Sequence, residues 1–342
     1  MSSAPVRRPL AAGRAPRLAQ AARWTASRLV RMVPAVLGIA AVNFLLLQLA
    51  PGDAADVLAG ESGSATPEYV AELKARFGLD QPVWMQFGSY LLRLLRLDLG
   101  FSFRHNESVL ALVLERLPAT LLLMAVGIAI AFGAGIGLGV LAARHVHRWL
   151  DGAISTAALL VYATPVFWIG LMMIVLLSVQ LGWLPSGGFE TVGAGHAGLH
   201  RALDVAAHLV MPATTLALFY TAFYTRMMRA SMLEVFNQDY VTTARAKGLA
   251  EGRVLRRHVL RNAMLPMVTM LGLQVGTLLG GSVLVETVFA WPGLGRLGFE
   301  AVAARDFNLL LGILLLSSLV VMLVNLAVDL LYAWLDPRIE LR

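Results

Sequence analysis

Six uncharged runs of about 20 residues or more punctuate this chain, at residues 32–52, 117–143, 152–189, 205–225, 262–285 and 307–328. A run of that length lets a helix cross a hydrocarbon core of about 30 Å, and a helix satisfies its own backbone there. The third run is too long for one crossing. Its spacing predicts a single helix over 153–180 and then an exit loop, because GWLPSGG at 182–188 is turn chemistry. The fourth run, rich in Thr and Tyr and holding Pro212, carries the weakest signal. The pattern predicts an all-α integral membrane protein with six transmembrane helices.

Charge then orients the spans. The arm at 1–31 holds seven arginines and no acid, and 53–116 holds six basic and nine acidic residues. RHVHRWLD after the second run is basic again, and 226–261 carries eight basic and three acidic residues. Lys and Arg collect in cytoplasmic connections, so both termini and the 226–261 segment are expected in the cytoplasm. The first run follows arginines, as a secretory signal would. Its apolar stretch exceeds a usual signal core and no A-x-A site closes it, so it reads as a retained span. The expected organisation is a basic arm (1–31), a first span with an external insertion (32–114), a five-helix core (115–335) and a short tail (336–342). Within the insertion a short helix is expected at 67–77.

Composition narrows the chemistry. The chain is 58% hydrophobic, so its net charge of +7 reads as cytoplasmic loops rather than a nucleic-acid surface. There is no cysteine, which removes thiol catalysis and thiolate metal sites. No G-x-x-x-x-G-K-[ST] loop and no Ser-His-Asp arrangement is evident, so the chain is expected to be no enzyme and to bind no cofactor itself. His196, His200 and His208 have metal-like spacing, but GAGHAGLH is glycine-rich and makes a poor helix, and no metal is expected. Glu286 closes the fifth run, where a carboxylate faces a cavity or partner, or reaches interfacial water. Thr164-Pro165 lies inside the third helix and predicts a kink. The glycines of AFGAGIGLG (131–139) favour close helix packing, expected against another chain.

One cytoplasmic stretch stands out: DYVTTARAKGLAEGRVLRRHVLRNAMLP, 239–266, with six basic and two acidic residues. Leu233, Phe236, Tyr240 and Ala244 fall on one helical face. Gly248 suits the left-handed position that ends a helix. Beyond it Val254, Leu255, His258, Val259 and Asn262 resume helical spacing while Arg253, Arg256, Arg257 and Arg261 point elsewhere. A helix, a tight turn and a second helix entering the fifth span are predicted. The apolar face could lie on anionic lipid or fit a groove of a cytoplasmic protein; a nucleic-acid partner does not suit a loop held at a bilayer.

ARAKGL with RRHVLRNAMLP resembles the cytoplasmic loop of inner-membrane permease subunits of ABC importers, in the dipeptide/oligopeptide/nickel group and its first paired permease. APGD (50–53), FGLDQP (77–82), RLPATLLL (116–123), ATPVFWIGL (163–171), VETVFAWPGLGRL (285–297) and LDPRI (335–339) extend the likeness in order along the chain. The resemblance implies a type I ABC importer permease fold and a coupling loop at about 226–262 that docks into a separate ATPase. It assigns that docking to Tyr240, Thr242, Thr243, Ala244, Ala246, Gly248, Leu249 and His258, and the translocation pathway to Thr164, Pro165 and Glu286. Such loops usually carry Glu-Ala-Ala before the glycine. Here Thr242 and Thr243 stand at the first two places and only Ala244 matches; His258 stands where Ile is usual and Arg261 where Pro is. The implied assembly is a homologous second permease, two ATP-binding subunits, a periplasmic or lipid-anchored substrate-binding protein and the bilayer of the bacterial inner membrane. Di- or oligopeptides are the implied substrate, with nickel or glutathione as alternatives. A self-contained secondary carrier is the rival class, for which the chain lacks evident repeats and mid-membrane charge pairs.

Overall fold

The computed structural model describes residues 14–49, 66, 71, 80–102 and 104–335. The expected helix at 67–77, most of the arm and the tail lie outside them. Eleven α-helices carry the described chain: α1 Arg14–Leu49, α2 Val83–Leu95, α3 Val109–Arg144, α4 Trp149–Ala163, α5 Val166–Met173, α6 Gly198–Phe236, α7 Asp239–Ala246, α8 Glu251–Val254, α9 Arg261–Val288, α10 Leu294–Ala304 and α11 Phe307–Leu335. Wider π-type turns follow α5 (Ile174–Gln180) and precede α9 (Leu255–Leu260). Among the described residues the strands amount to one pair, β1 Phe101–Ser102 and β2 Glu107–Ser108, antiparallel with Phe101 opposite Ser108.

Among the described residues four helices are long and apolar enough to cross a membrane: α1 over Val30–Leu49, α3, α6, and α11 over Phe307–Val328. The single helix expected over 153–180 is two. α4 meets the segment Val166–Gln180, α5 with its π-type turn, at 101°, and only together are the two long and apolar enough to span. The cause is local. Proline disfavours helical geometry in the residue before it and offers no N–H of its own. Thr164 is accordingly extended (φ −87°, ψ 131°), while its hydroxyl donates to Leu160 O at 2.7 Å and closes α4. Proline does not break α6 at Pro212, where the helix runs on through a fully packed position.

α6 is the central helix, which accounts for its unusual composition. Thr215, Thr221, Thr225, Tyr220 and Tyr224 are buried against neighbours instead of facing lipid. Its longest partner is α3. Gly135 and Gly139 lie at that contact, where an added Cβ would come within 2.5 Å of Tyr224 Cβ and 2.6 Å of Met228 Cβ. The backbones therefore touch almost directly. The AFGAGIGLG glycines thus serve a contact inside this chain at two positions, while Gly133 and Gly137 face outward into open space.

A second, smaller core joins the start of α3 to α10 and α11 through Val109, Leu112, Val113, Leu294, Leu297, Leu309 and Ile313. α1 rests on α11, and the buried Asn43 amide donates to Leu311 O at 3.1 Å. α2, which the hydrophobic runs did not reveal, leans on α1 through Phe87 and Tyr90 against Phe44, with ring centroids 5.2 and 5.8 Å apart.

Candidate functional site

The 239–266 stretch folds as a hairpin of short helices, beginning after a break. α6 ends at Phe236, and Asn237 and Gln238 separate it from α7. Leu233, Phe236, Tyr240 and Ala244 therefore do not share one continuous helical face, as their spacing implied. The residues that anchor α7 are Val241 and Ala244, at 0% and 5% exposure. Both belong to the main core together with Val254 and Val259 of the returning limb.

The turn itself is a Schellman closure. Gly248 N–H donates to Arg245 O at 2.9 Å and Leu249 N–H to Ala244 O at 3.4 Å, which satisfies carbonyls that a helix end leaves open. Gly248 adopts φ +76°, a conformation that costs a residue with a Cβ about 1 kcal/mol. Arg245 then bridges the two limbs, its Nε donating to Glu251 Oε1 at 2.9 Å, and its guanidinium lies 5.6 Å from the centre of the Phe236 ring. On the returning limb, Asn262 Nδ2 donates to the Tyr240 hydroxyl at 3.0 Å and so pins α7 to the start of α9. The hairpin is held as one rigid piece.

The eight residues assigned to docking divide by exposure. Tyr240, Thr242, Thr243, Ala246 and Gly248 face outward. Ala244 is buried, and Leu249 and His258 are partly covered by the hairpin's own contacts. Five of the eight are thus exposed on this chain and three are covered. Val241 and the Arg245–Glu251 bridge escaped the sequence reading. Val241 had a signal, since it lies three residues from Ala244 and so on the same helical face.

The other three assigned residues are not gathered at one place. Thr164 and Pro165 sit at the α4–α5 break, half-buried and exposed respectively. Glu286 is 0% exposed, so it neither reaches interfacial water nor opens on a cavity within this chain. Its carboxylate accepts from Thr120 Oγ1 at 2.9 Å and Arg296 N–H at 3.0 Å, and also from Gly295 N–H and the Ser282 side chain. Gly295 and Arg296 are in the first turn of α10, so Glu286 caps that helix from α9. Leu294 N–H, in the same turn, donates to Thr120 Oγ1 at 2.7 Å, and Trp291 Nε1 to Ala119 O at 2.9 Å. RLPATLLL and VETVFAWPGLGRL are thus two halves of one polar clamp. Gly293 makes it possible: a Cβ there would fall 2.3 Å from the Glu286 carboxyl carbon.

A second buried carboxylate ties α4 to α6. Arg229 Nε and Nη2 donate to Asp151 Oδ1 and Oδ2 at 2.6 and 2.7 Å, and Asp151 is 5% exposed. Asp151 also accepts the His147 N–H at 3.1 Å, so the α3–α4 connection, α4 and the lower part of α6 are fastened at one point. His208 and His196 instead lie beside the Asp204 carboxylate, 3.5 and 3.7 Å away. Among the described residues no group of three or more His, Asp or Glu is placed to hold a metal ion.

Comparison with known proteins fixes the class. Residues 135–341 match the family model of the binding-protein-dependent transport system inner membrane component, and residues 22–124 match its N-terminal companion. The chain is 40% identical over 332 residues to the dipeptide transport system permease protein DppB of Escherichia coli K12, covering 92% of this chain and 97% of that one. It is 40% identical over 321 residues to the oligopeptide transport system permease protein AppB of Bacillus subtilis 168, covering 93% and 99%. Inward-facing conformations of the MetNI methionine ABC transporter share the fold, with a TM-score of 0.53 at 21% identity over 66% of this chain and 96% of that one. With a fold of the type I ABC importer permeases and both family models matched in order, the chain belongs to the family of binding-protein-dependent transport system inner membrane components.

Proposed function

We propose that this chain is the membrane-spanning permease subunit of an ATP-driven importer of di- or oligopeptides, forming half of its translocation pathway. What carries the reading is the near full-length likeness to permeases named for dipeptide and oligopeptide transport. The proposed assembly adds a homologous second permease, two ATP-binding subunits and a binding protein that delivers the substrate from outside. Six segments cross the membrane in this reading: α1, α3, the bent α4–α5 pair, α6, α9 and α11. α9 qualifies by length, since its 28 residues rise about 42 Å at ~1.5 Å per residue. The hairpin at 239–249 then faces the cytoplasm and docks into an ATP-binding subunit through Tyr240, Thr242, Thr243, Ala246 and Gly248.

The substrate is tested with the whole complex in proteoliposomes. ATP hydrolysis should rise several-fold with peptide-loaded binding protein and stay at its basal rate with nickel complexes. Stimulation by nickel complexes with peptides inert would reverse the assignment.

Orientation has its own test, and the native lack of cysteine leaves a clean background. Single cysteines at Ser62 and Gly195 should react in intact cells with a thiol reagent that cannot cross the membrane. Those at Ser27 and Thr243 should react only after the cells are opened. External labelling of Thr243→Cys would invert the topology.

A further inference from the structure

An arginine stands alone on the face shared by α4 and α6. Arg226 lies one helical turn from the Asp151–Arg229 pair, yet it takes no part in it. Its guanidinium carbon sits 4.4 Å from the centre of the Tyr162 ring, which stacks on Phe219 at 5.1 Å. From Asp151 to Tyr162 the helix rises about 16 Å at ~1.5 Å per residue, so the arginine reaches from the level of the ion pair toward mid-span. Side chains lean toward the N-terminus of their helix, and in α6 that direction leads away from the cytoplasmic hairpin. The charge therefore does not reach out to the cytoplasmic headgroups. Among the described residues Arg226 has no carboxylate partner, and both it and Tyr162 are exposed on this chain. A cation at the edge of a span, its side chain turned inward and with no carboxylate partner in its own chain, marks a place where an anion passes or rests.

We propose that Arg226, seated on Tyr162, is a transient binding site for the C-terminal carboxylate of the peptide being translocated. The proposal rests on the peptide reading above and deepens it. An importer that accepts many peptides must hold what they share, and the carboxylate terminus is common to all of them. A guanidinium presents a planar fork of donors matched to a carboxylate. Stacking one face of that fork on an aromatic ring fixes its plane and leaves its N–H edge free for a ligand. Exposed on this chain, such a site would be strong enough to orient a carboxylate and weak enough to release it, as conduction requires.

The test uses the complete complex in proteoliposomes with its binding protein. Uptake is compared for a free-acid dipeptide and its C-terminal amide, each loaded to saturation on the binding protein so that capture does not enter the rate. The wild type should move the acid about tenfold faster than the amide, the scale of one charge-assisted pair. Arg226→Gln should move both at the amide's rate, and Arg226→Lys, which keeps the charge but not the fork, should keep part of the preference. The proposal falls if Arg226→Gln carries the acid at the wild-type rate. It falls equally if every variant slows acid and amide alike and loses the second permease on purification, since Arg226 would then pair with an acid of that subunit. A wild-type complex that moves neither peptide would remove the peptide reading and this inference with it.

Discussion

Gly248→Val is expected to abolish uptake while leaving membrane insertion intact and weakening retention of the ATP-binding subunit. Within this chain a Cβ at residue 248 would meet nothing within 4 Å, so internal crowding is not the cause. The intramolecular penalty is the left-handed turn alone, about 1 kcal/mol and more for a β-branched residue. A cost of that size does not unfold a hairpin anchored by Val241, Ala244, Val254 and Val259 in the main core. A loss of uptake beyond about tenfold therefore has to arise where the turn meets another protein. Gly248→Asn separates the two contributions, because Asn tolerates positive φ while adding bulk. Under docking, Asn also lowers uptake; under turn strain alone it restores it. Replacing Arg256 and Arg257 by Gln should do less, since both are exposed and neither fastens the hairpin limbs. If Gly248→Val transports normally while the double arginine change stops transport, the loop acts through charge at the lipid surface.

Glu286→Ala is expected to lower the stability of the purified complex by about 3 kcal/mol, read as a clear fall in Tm in detergent. The substitution strands buried donors from two other elements together: the Thr120 hydroxyl on α3, and the first-turn N–H groups of Gly295 and Arg296 on α10. A helix of 11 residues has little stability of its own without a cap and a packing partner. Glu286→Gln keeps the shape and one acceptor oxygen, so its loss should be smaller. A residue of the pathway would behave differently, with Tm unchanged and the substrate rate altered. An unshifted Tm in Glu286→Ala would show that the clamp is dispensable.

What the sequence disclosed follows from the range of the forces involved. The four helices long and apolar enough to span were legible because lipid contact demands long apolar runs wherever they occur in the chain. Gly248 was legible because a helix end and its closing glycine are neighbours. Pro165 announced a disturbance, but its size was hidden: a kink and a 101° break share the same local steric cause, and tertiary packing decides between them. Here Gly170 of α5 lies against the Phe289 ring, close enough that a Cβ would be 3.1 Å from it. The burial of Glu286 was hidden for the opposite reason. Its partner Thr120 lies 166 residues away in sequence, so no window around Glu286 records the pairing. Arg229 was in view among the basic residues of 226–261, but what distinguished it was Asp151 on another helix.

The bare backbone contact at Gly135 and Gly139 has a mechanical consequence. Side chains between two helices act as a cushion, since rotamers can adjust while the axes slide. Here the cushion is missing, and Thr221 O and Thr225 O lie close over the glycines. α3 and α6 are thereby locked into one stiff strut. α6 alone is about 58 Å long at ~1.5 Å per residue, and its C-terminal end leads into the 239–249 hairpin. A push delivered there would travel the strut's full length with little lost to sliding. Compliance then has to sit outside this pair, and the break at Thr164–Pro165, where the helix ladder is interrupted, is one place with fewer backbone bonds to resist bending.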